Sequence, residues 1–187
     1  MQEVQMYQIK EVTEKDAEVI QFVMNMRNEL FPMMEKNQLP VDLLHFNEYY
    51  VQAKGAAFFA AVTENQQVIG TIGLYAYDGR FHALKKRYEH KTAAEIVKCY
   101  VDPAYRRLGI GQQLLKVVEQ FAQSHFYDTL YLHTHPFLPG AIPFWTSQDF
   151  IERLAEQDEP WNTLHMDRKI QPVVMSRYYT VITIESR

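Results

Sequence analysis

The sequence predicts an α/β domain with a mixed β-sheet and helices on both faces of that sheet. Three stretches carry this prediction: a strand, glycine turn and helix over residues 94–125, two strands within residues 57–77, and an amphipathic helix before Pro32. A chain of 187 residues suits one domain with a substantial core. We therefore expect residues 1–187 to form a single domain, with its core motif at 94–150.

The composition argues against several classes of protein. Nineteen Lys and Arg against 23 Asp and Glu give a net charge of −4, which argues against binding nucleic acid through bulk positive charge. The single cysteine excludes an intrachain disulfide and fits a reducing cytoplasm. The N-terminus lacks an apolar signal segment, and the longest apolar run, residues 56–62, is far too short to span a membrane. We expect a soluble, cytoplasmic protein that binds neither nucleic acid nor membrane.

The N-terminal elements are predicted from their apolar spacing. Residues 7–12 alternate as an edge strand does, and Thr13 with Asp16 can cap the helix that ends at Pro32. A second helix is predicted over residues 42–54. Its inward-facing residues are predicted to be Leu43, Leu44, Phe46, Tyr50 and Val51.

Two strands follow at residues 57–63 and 68–77, and their short polar connection makes an antiparallel hairpin. Residues 78–92 then break the pattern with a polar stretch that is rich in Lys and Arg. Such a stretch is long for a strand connection. It is either a solvated loop or a lid over a substrate or coenzyme, and the sequence leaves both interpretations open.

The central motif joins a strand to a helix through a glycine turn. Residues 94–101 form a short apolar run, too brief for a helix, which Asp102 and Pro103 end as a turn signal. Beyond the glycines, apolar residues recur at helical spacing while polar residues occupy most of the other face. The buried face is predicted to comprise Ile110, Leu114, Leu115, Val118, Phe121 and Ala122.

The turn within this motif is suited to an anion. Residues 106–111 lead into a helix N-terminus, where amides lack intrahelical partners and the macrodipole is positive. Gly109 and Gly111 leave the backbone open to phosphate oxygens, and two arginines add positive charge. A dinucleotide fingerprint needs a third glycine where Leu114 stands, and the Gly-Lys-Ser/Thr of a Walker loop is absent. A pyrophosphate fits this turn, although neither of those two nucleotide motifs does.

These residues resemble the signature of the GCN5-related N-acetyltransferase (GNAT) superfamily, Q/R-x-x-G-x-G/A between the fourth strand and the following helix. Arg106, Gly109 and Gly111 match it position by position, and the preceding Tyr-Val-Asp-Pro at residues 100–103 is similar to the family's usual strand end. The resemblance implies a mixed, mostly antiparallel sheet whose central strands splay apart. It also implies acetyl-CoA as co-substrate, with the pantetheine arm in the gap between those strands.

The resemblance further implies which residues hold the coenzyme. The backbone of Cys99, Tyr100 and Val101 would bond the pantetheine arm. The pyrophosphate would lie on the turn formed by Arg106, Arg107, Leu108, Gly109, Ile110, Gly111 and Gln112. Trp145 also belongs to this site, in a stretch over residues 141–150 that is similar to the family's A-I-x-F-Y-E-K-x-G-F. It replaces the tyrosine that protonates the leaving thiolate in many relatives. Because an indole has no titratable proton, the sequence leaves the identity of the proton donor undecided.

The remaining elements complete the sheet. A strand is predicted at residues 128–133, and another, within residues 161–168, is similar to the late strand that ends many of these domains. Asp149 replaces a glycine of the family's stretch, so the turn after it must be built differently. The C-terminal extension at 170–187 contains a β-rich stretch at 178–184, which can add a strand, pair with a second subunit in a homodimer, or clasp the same sheet.

Two residues are candidates for the chemistry. Glu95 is the predicted general base, because it lies in the strand beside the acetyl site and alternation puts it on one face with Val97 and Cys99. Its strand is similar to that of the histone acetyltransferase branch, in which a glutamate activates the acceptor lysine, usually through water. Tyr131 is a candidate donor of a proton to the thiolate, with water or unassisted departure as the alternatives.

Three further residues invite other chemistry. Cys99 could carry the acetyl group covalently, but a lone cysteine in an apolar strand is usually a core residue. His133 and His135 could bind a metal, but H-x-H alone lacks further ligands at persuasive spacing, so we expect no metal. Either histidine could instead act as a general base, or pack and hydrogen-bond.

The sequence thus predicts an N-acetyltransferase that moves an acetyl group from acetyl-CoA to a primary amine by direct attack in a ternary complex. Its acceptor is a small molecule or a protein lysine or N-terminus, and the fold class does not decide between them. The alternative is a non-catalytic acyl-CoA-binding sensor or interaction module, which Trp145 favours. Release of CoA that depends on an amine separates the two functions.

Overall fold

The computed structural model describes residues 6–36, 38–90 and 92–171. Its strands are β1 (Tyr7–Glu11), β2 (Ala57–Thr63), β3 (Val68–Ala76), β4 (Ala93–Val101), β5 (Thr129–Thr134), β6 (Ile151–Ala155) and β7 (Leu164–Lys169). Its α-helices are α1 (Ala17–Leu30), α2 (Val41–Leu44), α3 (Lys85–Tyr88), α4 (Ile110–Ser124) and α5 (Ala141–Ser147). The β-rich stretch predicted at residues 178–184 lies outside the described residues.

All seven strands form one sheet in the order β1-β2-β3-β4-β5-β7-β6. Neighbouring strands are antiparallel throughout, except that β4 and β5 are parallel. This parallel pair is short, because Ala93–Glu95 align with Thr129–Tyr131 and the two strands then part. The predicted mixed, mostly antiparallel sheet with splayed central strands is confirmed.

The two faces of the sheet carry separate apolar cores, one under α4 and one under α1. Strand β2 shows why, since its alternate residues point to opposite faces. Ala57, Phe59 and Ala61 pack in the core that contains the apolar face of α4, whereas Phe58 and Ala60 pack with α1. Burial on both faces explains why β2 reads as a continuous apolar run. The predicted placement of helices on both faces is confirmed.

Of Thr13 and Asp16, the two residues predicted to cap helix α1, Asp16 is the N-cap. The Asp16 carboxylate accepts hydrogen bonds from the amides of Glu18 and Val19, at 2.9 and 3.1 Å. The helix ends at Leu30, where the Phe31 amide still bonds to the carbonyl oxygen of Arg27. None of the helices in the part of the chain that the structure describes is long and apolar enough to cross a bilayer.

The prediction of one continuous helix over residues 42–54 is wrong. Residues 42–54 instead form the short α2 and a π-helical turn at Asn47–Val51, in which the Gln52 amide bonds to the Asn47 carbonyl. Phe46 and Tyr50 are both buried as predicted, with ring centroids 5.1 Å apart. Two residues predicted to face inward, Leu44 and Val51, are 53% and 39% exposed.

Residues 78–92 are not the fully solvated loop that was one interpretation of their polarity. They contain a 3-10 turn at His82–Leu84 followed by α3. Leu84 and Tyr88 are buried and pack with Ala93 and Tyr131. The segment is therefore anchored on the sheet, and its role as a lid stays a prediction.

Candidate functional site

A bulge in β4 marks the start of the gap between the central strands. Thr71 pairs with Tyr100 but Gly73 pairs with Val97, so β4 contains one extra residue at this point. Lys98 takes a left-handed φ of 49°, and its carbonyl oxygen accepts a hydrogen bond from the Thr71 hydroxyl at 2.9 Å. Among the described residues, the bulge and the short β4–β5 pairing leave the β5-side edge of β4 without a strand partner beyond Glu95.

One side of the gap opens into a cavity of about 640 Å³, here called the turn cavity. It is lined by every residue predicted to hold the coenzyme except Leu108, which is 60% exposed and points elsewhere. The predicted residues that line it are Cys99, Tyr100, Val101, Arg106, Arg107, Gly109, Ile110, Gly111, Gln112 and Trp145. The fold thus brings together residues from β4, the glycine turn and α5.

The glycine turn presents unpaired amides to this cavity. Gly109 caps α4 with a left-handed φ of 79°, and a side chain there would meet no atom within 4 Å. The first helical bond runs from the Gln113 amide to the Gly109 carbonyl at 3.0 Å, which leaves the three preceding amides without intrahelical acceptors. Arg106 is held beside them, because its Nε donates to the Val101 carbonyl oxygen at 3.2 Å. This arrangement suits a phosphate group.

The other side of the gap holds a second cavity, of about 480 Å³, here called the histidine cavity because His133 and His135 line it. Cys99, Tyr100 and Trp145 line both cavities. The two cavities therefore meet where β4 and β5 part.

Glu95 lies behind the histidine cavity, fully buried, and it does not line that cavity. Its carboxylate accepts two hydrogen bonds from Arg80, at 2.5 and 2.6 Å, and faces the His133 Nδ1 atom at 3.1 Å. Burial acts to raise the pKa of the Glu95 carboxyl, but the hydrogen bonds from His133 and Arg80 and the guanidinium charge hold that pKa below its ordinary value. Glu95 is therefore an ionised, doubly paired carboxylate.

A family model described as the acetyltransferase (GNAT) family matches residues 20–150 of the chain. The chain belongs to the GNAT family. The matched span contains β4, the glycine turn, α4 and β5, which form the gap and most of the walls of both cavities.

Individual proteins share this GNAT architecture. The chain is similar to human N-acetyltransferase 8, with 26% identity over 112 residues, which are 60% of this chain and 46% of that relative, so the match spans about half the relative's length. Its structure is similar to an acetyltransferase of the GNAT family from Staphylococcus aureus Mu50, with 24% identity, a TM-score of 0.71, and coverage of 89% of this chain and 100% of that chain. It is also similar to an aminoglycoside 6'-N-acetyltransferase complexed with coenzyme A, with 14% identity, a TM-score of 0.64, and coverage of 88% and 98%. At these identities the two structures establish the GNAT fold alone.

Tyr131 does not line either cavity of this GNAT chain. Its side chain is fully buried beside α3, and its hydroxyl shares a hydrogen bond of 2.7 Å with the His165 Nδ1 atom. Burial raises the pKa of the Tyr131 hydroxyl far above its ordinary value. Its role as proton donor stays a prediction, and the structure gives the hydroxyl no contact with the junction of the cavities.

The two residues at the junction with unusual chemistry are Cys99 and Trp145. Burial raises the pKa of the Cys99 thiol to about 12, so it is held as a neutral thiol rather than as a reactive thiolate. Trp145 is buried between Phe144 and Phe150, with ring centroids 4.9 and 5.2 Å away. Its indole carries no titratable proton.

Both cavity histidines have protein partners at Nδ1. His135 Nδ1 lies 3.2 Å from the Trp161 carbonyl oxygen, and burial lowers the pKa of the His135 imidazole. Among the described residues, no group of three or more His, Cys, Asp or Glu side chains is placed to hold a metal ion. His133 combines exposure to the histidine cavity with a carboxylate partner in Glu95.

Sequence reasoning missed two arginines of the site. Arg80 was placed in a loop or lid, and no local pattern pairs it with a carboxylate fifteen positions away. Arg27 did leave a signal, since it falls four residues after Val23 on the buried face of α1, where a charge is unusual. It lines the histidine cavity.

Asp149, predicted to require a differently built turn, instead adopts the glycine-like conformation. Its φ is 62°, in the left-handed region that Asp tolerates better than most residues. Its amide donates to the Thr146 carbonyl at 3.1 Å. The turn into β6 is thus built on a left-handed Asp149.

Proposed function

We propose that the chain is an N-acetyltransferase that moves an acetyl group from acetyl-CoA to a primary amine by direct attack in a ternary complex. The observation that supports this proposal best is the meeting of the turn cavity and the histidine cavity where β4 and β5 part. Two substrates approaching from opposite sides would come together at Cys99, Tyr100 and Trp145. Acetyl-CoA, when bound, supplies the activated acetyl group as a thioester.

The residues of the turn cavity fit this co-substrate. The unpaired edge of β4 offers backbone groups to an extended pantetheine arm, as a neighbouring strand would. The amides of Ile110, Gly111 and Gln112, with the charges of Arg106 and Arg107, suit a pyrophosphate. We therefore propose these residues, with Cys99 to Val101 and Trp145, as the coenzyme site; Leu108 would contribute backbone alone.

Backbone donors near the bulge would stabilise the charge that develops on the thioester oxygen. The backbone of residues 99–101 lies beyond the last β4–β5 pair, and Cys99 and Tyr100 line both cavities. A single oxyanion donor contributes about 3 kcal/mol to the barrier reduction in other enzymes. No charged side chain is required for this step.

Glu95 is proposed to promote proton removal from the amine through His133. Glu95 accepts two hydrogen bonds from Arg80, so its carboxylate is a weak base for taking a proton directly from the amine. It also does not line the histidine cavity. It is well placed to accept the Nδ1 hydrogen of His133, which leaves Nε2 as the acceptor of the amine proton. In this mechanism His133 is the catalytic base and Glu95 positions it.

The thiolate needs no acid from Trp145. A thiol has an ordinary pKa near about 8.5, so a thiolate is a tolerable leaving group near neutral pH. We propose that water protonates it. Tyr131 would have to act from behind β5, where its hydroxyl is bonded to His165.

Calorimetry with acetyl-CoA and CoA, followed by thiol release across an amine panel, tests the proposal. Wild-type protein should bind both nucleotides and release thiol with one class of amine, and the Arg106→Ala/Gly109→Ala variant should lose binding. Binding without release would favour the sensor or interaction module. Absence of binding to the wild type would overturn the acetyl-CoA assignment itself.

A further inference from the structure

Arg27 is a buried arginine without an anionic partner in the part of the chain that the structure describes. Its side chain comes from α1, is 7% exposed and lines the histidine cavity. Within residues 6–36, 38–90 and 92–171 it makes one hydrogen bond, from Nη1 to the Glu35 carbonyl oxygen at 3.1 Å, and no ion pair. A guanidinium has five N–H donors, so most of its capacity is unused.

Four other arginines have partly covered side chains, and each has an anionic partner. Arg80 is paired with Glu95, Arg87 and Arg153 with Asp167, and Arg168 with Glu119. Burying a charge without a partner is costly. Arg27 therefore carries the charge that a ligand would neutralise.

The two other charged side chains that line this cavity, Lys98 and Asp158, have partners other than Arg27. Lys98 is already paired with Asp42 on α2. The Asp158 carboxylate, which also lines the cavity, accepts hydrogen bonds from the Thr163 amide and hydroxyl, each at 2.7 Å. Both groups are thus satisfied within the protein, which leaves Arg27 as an uncompensated positive charge on the cavity wall.

The partner of Arg27 is not the coenzyme pyrophosphate. Arg27 lines the histidine cavity and does not line the turn cavity, where the unpaired amides of the α4 N-terminus lie. The same cavity also presents the aromatic rings of Phe31, Phe81 and Trp161. An anion bound there would belong to the acceptor, with an apolar group beside it.

We infer that the acceptor is an amine that also carries a carboxylate and an apolar side chain, as apolar amino acids do. This inference rests on the proposed acetyl transfer and specifies its acceptor class. The carboxylate would take a two-pronged bond from the Arg27 guanidinium. The apolar side chain would pack among the aromatic rings, and the amine would face His133 in the same cavity.

Binding of the corresponding products tests the inference without catalysis. The probes are N-acetyl-L-phenylalanine and N-acetyl-L-leucine, each compared with its C-terminal amide by calorimetry. We expect the wild type to bind the acids about tenfold to a hundredfold more tightly than the amides, as a charge-assisted bond predicts. Arg27→Gln should abolish that preference, and Arg27→Lys should retain part of it because the charge remains.

Several outcomes would overturn the inference. Equal affinity for acid and amide in the wild type would do so, and that comparison decides even if Arg27→Gln fails to fold. An equal loss of acid and amide binding in Arg27→Gln would also do so. Acetyl-CoA affinity serves as the control and should be unchanged in both variants.

Turnover separates this inference from the proposed function. L-Phenylalanine is compared with phenethylamine, which lacks the carboxylate. A binding preference for acids without any turnover would leave the Arg27 site standing and overturn acetyl transfer. Turnover of phenethylamine equal to that of L-phenylalanine, with no binding preference, would support acetyl transfer and overturn the carboxylate site.

Discussion

The Nδ1 atom of His133 lies 3.1 Å from Oε1 of Glu95, so a cavity-lining imidazole is backed by a fully buried carboxylate. The two residues are 38 positions apart and lie on β4 and β5, close to where those strands part. Arg80 donates to both oxygens of the same carboxylate, including the Oε1 atom that faces His133. This arrangement orients His133 and fixes which of its nitrogens faces Glu95.

Replacing His133 should cost more activity than replacing its partner. Under the proposed mechanism, we expect His133→Asn to lower kcat by about 100-fold to 1,000-fold, the range of general-base catalysis, with unchanged acetyl-CoA affinity. Glu95→Gln should lower kcat less and should shift the pH profile. The measurement is steady-state thiol release across pH, with the exposed His125→Asn as control. Retained turnover in His133→Asn together with its loss in Glu95→Gln would instead favour Glu95 acting through water.

Removing Arg80 should destabilise the fold through Glu95. Arg80→Gln leaves the buried Glu95 carboxylate with His133 alone. Because Arg80 is 35% exposed, solvent moderates the loss, and we expect about 1–3 kcal/mol of unfolding free energy rather than the 3–5 kcal/mol of fully buried pairs. Urea denaturation measures it. The double variant Arg80→Gln/Glu95→Gln should recover most of the loss, and an equally unstable double variant would contradict this account.

Tyr131→Phe separates a catalytic from a structural hydroxyl. If Tyr131 donates the proton to the thiolate, turnover falls while acetyl-CoA affinity is kept. The burial of the hydroxyl against His165 leads us to expect unchanged turnover and a loss of about 1 kcal/mol of stability, typical of one hydrogen bond. Steady-state kinetics and thermal denaturation of the same sample decide between these results.

Gly109→Ala should weaken coenzyme binding through the backbone. Gly109 has φ 79°, which costs a non-glycine residue about 1–2 kcal/mol, so the turn would relax and move its amides. Gly79 is a matched control, since it has φ 75° and equally open surroundings but lies away from the turn cavity. CoA titration should show weaker binding in Gly109→Ala only. Equal CoA affinity in the two variants would contradict a role for the backbone of the glycine turn in coenzyme binding.

Asp167 should contribute to acid unfolding. Burial acts to raise the pKa of this carboxyl, but hydrogen bonds from Arg87, Arg153 and Tyr88 hold that pKa below its ordinary value. A carboxyl with a lower pKa in the folded state stabilises the fold above its unfolded pKa of about 4 and loses that contribution as pH falls further. Urea denaturation from about pH 2 to about pH 6 measures this contribution. The free energy of unfolding should depend less on pH in Asp167→Asn than in the wild type. Glu64→Gln, at an exposed hairpin position, should behave as the wild type.

The parts of the fold that were predicted correctly depend mostly on residues close together in the sequence. The α4 face, the Asp16 cap and the continuous apolar run of β2 follow from spacing of a few residues, which propensity and burial decide. The break between α2 and the π-helical turn does not, because it depends on Phe46 and Tyr50 packing against a core formed by distant strands. Tertiary packing there overrides the helical spacing.

The candidate site divides in the same way. The turn over residues 106–112 is one contiguous stretch, so its residues could be named from the motif. The Arg80–Glu95–His133 group depends on strand order and register, which bring β4 beside β5 and fold residue 80 back onto both. Sequence spacing contains no measure of that register, so it singled out Glu95 without its partners.

The short β4–β5 pairing also shapes how the molecule opens. Strands β1 to β4 and strands β5 to β7 form two blocks that share three aligned residue pairs. Helix α4 lies mainly on the first block, and its Glu119 forms an ion pair with Arg168 of the second. A sheet held by so few residue pairs at one point can separate there into two cooperative unfolding units. Separating the two blocks then requires less free energy than unfolding the whole domain. A molecule that filled the gap as proposed would bond to the edge of β4 and reach across to the second block. It would thereby merge the two units into one, and the slowing of amide hydrogen exchange would extend well beyond the residues that it touches.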